Sequence, residues 1–206
     1  MARYEEKVLD GLEKMVEDFE VGTTAEMVVV LAHKSERYWD VPFKVGCLAA
    51  FGTLAALIYL PIDFLADMLL LDTFLAFAVG YVAGRTSPFL IRSLTTRKRR
   101  ERAVKLAAQA AYTARGVSMT RERNGILVFI SWLERSVELI PDVGVDRCVA
   151  LPVWNAATRL VMSIPIQKGF PETFIRAMQP LNQAFAEHMP CREDNPDEIP
   201  NRPVVI

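Results

Sequence analysis

VGCLAAFGTLAALIYL (Val45–Leu60) and MLLLDTFLAFAVGYVAGRTSPFL (Met68–Leu90), joined by the acidic link PIDFLAD, decide how this chain is read. Each run comes near the about 17–25 apolar residues a helix needs to cross a bilayer. In a soluble protein the same stretch would be a buried helical hairpin. Helices on the outside of a soluble core alternate apolar and polar faces, yet Leu48–Leu60 is interrupted only by Gly52, Thr53 and Tyr59. Charge points the same way. Lys44 precedes the first run, and Arg92, Arg97, Lys98, Arg99, Arg100 and Arg102 follow the second, while the link carries Asp63 and Asp67 and no base. The pattern reads as a transmembrane hairpin with both ends in the cytoplasm.

Working outward, Trp39, Phe43 and Phe64 flank the first run as interfacial anchors. Asp72 and Arg85 interrupt the second run; Asp72 is expected in the first turn after the link and Arg85 in the last turn, each reaching its own surface. Gly46, Gly52, Gly80 and Gly84 leave room for close helix approach, Gly80 and Gly84 at the spacing of packed membrane helices.

Composition bounds the remainder. A net charge of −1 suits a small membrane-anchored domain better than a nucleic-acid binder, so no nucleic-acid partner is expected. The basic run Arg97–Arg102 abuts the apolar stretch and reads as an orientation signal that also meets anionic lipid headgroups. Cys47, Cys148 and Cys191 give neither a C-x-x-C pair nor a disulfide framework. The charged start MARYEEKVLDGLEKM is unlike a secretory signal.

The soluble parts alternate helix and strand. Tyr4, Val8, Leu12, Met15, Val16 and Phe19 recur at helical spacing up to a stop near Gly22. Glu26–Ala32 is a β-branched run bounded by polar residues, a buried strand, with His33 exposed at its end. Glu101–Gly116 is an Ala-rich helix closed by Arg115-Gly116. Ile126–Ile130 is continuously apolar, which requires helices on both faces. A turn at Glu134-Arg135 then returns an edge-ward strand over Val137–Ile140, ended by Gly144. Helices follow over Leu151–Ile164 and Pro171–His188, the latter interrupted by Pro180, and Cys191–Ile206 reads as a surface or disordered tail. This is an α/β layout with a small mixed sheet sandwiched by helices. Residues 1–43 and 93–190 form one domain, 44–92 an inserted transmembrane hairpin, and 191–206 a tail.

Thr24-Ala-Glu26-Met-Val-Val-Val30, Asn124-Gly-Ile-Leu127, Ser131, Glu134-Arg135, Val137-Glu-Leu-Ile140 and Asp142 together resemble the TPM domain family. The tail segment Asp197–Pro203 is similar to the ending of bacterial membrane-bound members with the same mid-domain insertion. The resemblance implies a TPM-like α/β/α sandwich, which the charge pattern places on the cytoplasmic side of the inner membrane. It also implies acid phosphatase activity in some members, and calcium or magnesium near the loop before the second strand. At that loop the family's usual Asp-Asn-Gly is Arg123-Asn124-Gly125 here, a cation in place of the carboxylate a hard metal favours. The metal-ligand candidates are Asn124, Asp142 and Glu26, and the catalytic candidates Asp142 and Ser35, converging at one end of the sheet.

Other phosphatase chemistries lack their parts. Cys191 is followed by Arg192 and then acids that oppose a thiolate. Asp142 and Asp146 are too far apart for a D-x-D nucleophile, and a serine nucleophile has only His33 and His188 to draw on. Two function classes follow: a non-catalytic accessory module for another membrane protein, with membrane lipid as its second partner, or a weak metal-assisted phosphatase.

Overall fold

A computed structural model describes residues 6–59, 65–164, 166, 170–192 and 198–206. The expectations for Tyr4 and Phe64 fall outside these residues. In order, the elements are α1 (Glu6–Glu20), β1 (Glu26–Ala32), α2 (Asp40–Tyr59), α3 (Ala66–Thr86), α4 (Pro88–Leu94), α5 (Arg97–Ala114), β2 (Gly125–Ser131), β3 (Ser136–Pro141), α6 (Val143–Cys148), α7 (Leu151–Met162), α8 (Phe170–His188) and β4 (Val204–Val205). The chain divides into two compact units: Met1–Ser35 with Glu101–Ile206, and Glu36–Arg100.

The first unit is built on a mixed sheet in the order β3-β2-β1-β4, with β1 parallel to β2 and to β4, and β2 antiparallel to β3. Every residue of β1 and of β2 is buried, because helices cover both faces. Side chains alternate along a strand, so Met27, Val29 and Leu31 join Ile126, Val128 and Ile130 against α1, α7 and α8. Val28, Val30, Leu127 and Phe129 face the other way, onto Val104, Ala108 and Ala111 of α5. The alanine stripe lets that helix lie close to the strands.

In this unit two features depart from the sequence reading. Gly144 does not end β3, which finishes at Pro141; it lies in the first turn of α6, capped by Asp142, whose carboxylate accepts from the Val143 N–H at 2.7 Å. The expected tail also contributes structure. Val204–Val205 adds an edge strand to β1, the His33 N–H donating to the Ile206 carbonyl at 3.1 Å and the Ile206 N–H to the Leu31 carbonyl at 2.9 Å.

In the second unit α2 and α3 pack antiparallel. A methyl group at Gly80 would lie 2.7 Å from the Ala49 Cβ and 2.9 Å from the Val45 carbonyl, and one at Gly84 would lie 2.8 Å from the Pro42 Cα. The helices therefore approach through backbone at these two positions. Gly52, expected to help, faces open space. The second apolar run is not one helix. It stops at Thr86, and Ser87 starts α4, its hydroxyl accepting from the Leu90 N–H at 3.4 Å with Pro88 in the first turn. Asp72 is also misplaced by the sequence reading. With α3 starting at Ala66, it sits beyond the first turn, about 9 Å along the axis. Arg85 is in the last turn, as expected.

Candidate functional site

Parallel pairing of β1 and β2 puts both strand starts at one end of the sheet and both strand finishes at the other. Polar residues collect at each end.

At the starting end, Glu26 pairs in register with Gly125, and Asn124 and Asp142 flank them. The Asn124 Nδ2 donates to the Thr24 carbonyl, the Asn124 N–H to the Thr120 hydroxyl at 3.1 Å, and the Asp142 N–H to the Gly125 carbonyl at 2.9 Å. The structure thus brings together Glu26, Asn124 and Asp142, all three buried. Gly125 is required here, since a Cβ would run into the Val117 carbonyl.

Arg123 dominates this end. Its Nε and Nη2 donate to the two Asp142 carboxylate oxygens at 2.7 and 2.9 Å, a two-point charge-assisted contact. The Asp142 side chain is 1% exposed and that of Arg123 is 53% exposed, so the guanidinium caps the carboxylate against solvent. Arg123 adopts a left-handed backbone (φ 57°), and its carbonyl accepts from the Gly144 N–H at 2.7 Å. Burial pushes the Asp142 carboxyl up, but Arg123, the Val143 N–H and the Tyr112 phenol outweigh it and hold the group below its usual value. Tyr112 itself is pushed up to about 12, by burial first, then by its hydrogen bond to Asp142 and that group's charge.

This donor set does not fit a calcium or magnesium ion. Such a cation wants at least about six oxygen ligands, whereas both Asp142 oxygens already accept from Arg123 and one also from Val143. Among the described residues no group of three or more His, Cys, Asp or Glu side chains comes together to hold a metal.

Ser35 lies at the opposite end, past the finish of β1, and does not meet Asp142. The seven-residue strand alone separates Glu26 from Ser35 by roughly 20 Å. There Ser131 Oγ donates to Glu134 Oε2, and the Ser35 N–H donates to Glu134 Oε1 at 3.0 Å. The two hydroxyls are 2.8 Å apart. With the Ser131 proton committed to Glu134, Ser35 is the donor between them. Ser131 and Glu134 are buried, and this end ties the β2–β3 turn to the finish of β1. No imidazole takes part: His33 is exposed, and the His188 ring sits 2.9 Å from the Ala184 carbonyl of its own helix. From sequence, Glu134 has a place in the turn and, like Ser131, a part in the family resemblance, and neither is a site candidate. The signal was present, a hydroxyl and a carboxylate three residues apart around a reversal.

The second unit carries the exposed apolar surface. The helices Asp40–Tyr59 and Asp67–Thr86 are long and apolar enough to cross a membrane, with only 17% and 11% of their spans buried. At their base Arg99 is withdrawn from the basic run: Nη2 donates to Glu36 Oε1 at 2.7 Å, Nη1 to Asp40 at 2.9 Å, and the guanidinium carbon lies 5.2 Å from the centre of the Tyr38 ring. The Glu36 carboxylate first, then Asp40, raises the Arg99 pKa further.

No family model and no curated protein matches this chain. Among solved structures it is similar to the BA42 protein of the psychrophilic bacterium Bizionia argentinensis, determined by NMR, with a TM-score of 0.59 over the whole of both chains at 16% identity. That likeness is one of fold, a mixed α/β arrangement shared by the two chains.

Proposed function

We propose that this chain is a membrane-anchored, TPM-like α/β/α sandwich that serves another integral membrane protein as a non-catalytic accessory module. The α2–α3 hairpin holds it in the inner, cytoplasmic membrane, and the sheet-bearing unit faces the cytoplasm. One observation carries the reading: the outer surface of the helix pair is apolar and uncovered. Phe51, Ile58, Leu70 and Phe74 all stand well exposed, which in water would be a large unsatisfied apolar patch and in lipid is the ordinary state. The polar ends of the sheet support the non-catalytic half. Asp142 is committed to Arg123, and Ser35 to Ser131 and Glu134, so neither candidate is poised for attack on a phosphoester.

Carbonate-washed membranes test the anchor, with the protein expected in the pellet and solubilised only by detergent. Recovery in the supernatant overturns it. Chemical crosslinking in intact membranes followed by purification tests the accessory role. A defined membrane-protein partner is expected, and its absence from every crosslinked product overturns that role.

A further inference from the structure

The packed faces of α2 and α3 leave a shallow groove of about 500 Å3, lined by Ala49, Thr53, Leu57, Asp72, Ala76 and Val79 among others. Asp72 is out of place there. Within the described part of the two helices the other charged residues, Asp40, Lys44, Asp67 and Arg85, lie in or near terminal turns. Asp72 sits about 9 Å along α3, on a side chain with one methylene, too short to carry its charge back to the helix start. It has no hydrogen-bond or ion-pair partner among the described residues, whereas neighbouring Thr73 donates to the Leu69 carbonyl at 2.7 Å.

We propose that this groove is a docking site for a transmembrane helix of another protein carrying a lysine or arginine at the depth of Asp72. The inference rests on the membrane-anchored reading above. Charge complementarity selects the occupant: an ionised side chain inside a membrane pairs or lines a polar path, and the groove offers an acid to a base. A second copy of this chain fits poorly. Its bases nearest the span, Lys44 and Arg85, belong to the end of the pair where Pro42 meets Gly84, far from Asp72. Two copies inserted the same way would set carboxylate against carboxylate. Small Ala49 and Ala76 at the groove admit a third helix at close range.

The test reconstitutes the full chain, donor-labelled, in phosphatidylcholine vesicles with acceptor-labelled polyleucine transmembrane peptides. One peptide carries a single lysine at the depth of Asp72, one carries it near the other membrane face, and one has none. Energy transfer is expected to show about tenfold tighter association with the matched lysine peptide than with the all-leucine one. Asp72→Asn should erase that preference and Asp72→Glu restore it, with helicity unchanged in both. Equal association of all three peptides, or a preference that survives Asp72→Asn, overturns the docking site. Transfer between two labelled copies that depends on Asp72 also overturns it, in favour of self-association. Vesicle flotation separates the failures: protein that floats but shows no preference loses this inference alone, and protein that does not float loses the anchored reading as well.

Discussion

Arg123 grips both oxygens of Asp142, at 2.7 and 2.9 Å, from a backbone held in the left-handed region at φ 57°. The pair closes the sheet end over the Asp142 cap of α6, so it ties the loop before β2 to the helix after β3.

Acid stability depends on this pair. Asp142 titrates below its unfolded value, so its contribution is fully present above the ordinary carboxylate range, near 3.9, and is lost as pH falls through the lower folded value. In Arg123→Gln burial acts with less opposition and the folded pKa rises. The acid unfolding midpoint, followed by circular dichroism from neutral to acidic pH, is expected to move upward. An unchanged midpoint would count against the pair.

At the other end Glu134→Ala removes the acceptor for both the Ser131 hydroxyl and the Ser35 N–H. A buried hydroxyl and a part-buried N–H lose their partner, so a loss of about 2–4 kcal/mol is expected in urea unfolding, while Ser35→Ala, at the partly exposed end of the chain of hydroxyls, is expected to lose under about 1.5 kcal/mol. Activity-based labelling with a serine-directed phosphonate is expected to leave Ser35 unmodified.

The helix pair offers a matched comparison. Gly80→Leu places a branched side chain against the Val45 carbonyl and Ala49, whereas Gly52→Leu enters open space. Thermal unfolding in detergent should fall by several degrees for the first and remain near wild type for the second. Similar behaviour of the two would refute backbone-to-backbone packing at Gly80.

Phe129 is fully buried on the α5 side of β2. Phe129→Ala removes an aromatic core group and is expected to destabilise the first unit by about 3–5 kcal/mol in denaturant titration. A smaller loss would mean that the Ala-rich face of α5 collapses into the space.

Continuous apolar runs told the most from sequence. Glu26–Ala32 is β1 to the residue, and Ile126–Ile130 lies inside β2, because strands buried on both faces need no alternation to be seen. The second apolar run hid its break: hydropathy carries on through Phe89 to Ile91, and only Ser87-Pro88, a capping hydroxyl before a residue without an N–H, marks the stop. β4 has two residues and no period to read; its place comes from β1 having a vacant edge. Part of the site was readable. Glu26, Asn124 and Asp142 do gather, but Glu26 opens and Ser35 follows one and the same extended strand, which already forbids a shared cleft. The Arg123 contact was the informative substitution in the loop, a built-in positive charge where the resemblance implied a bound one.

The neighbouring strands β1 and β2 are half the chain apart, with two long apolar helices in between. A ribosome therefore releases β1 well before anything exists for it to pair with. Its apolar segment must wait, exposed along both edges, while the two apolar helices and α5 are made, and closing so wide a loop is slow. Birth of this protein is thus a race between late pairing and early clumping, one in which chaperones that shield nascent chains have a definite segment to hold, Glu26–Ala32.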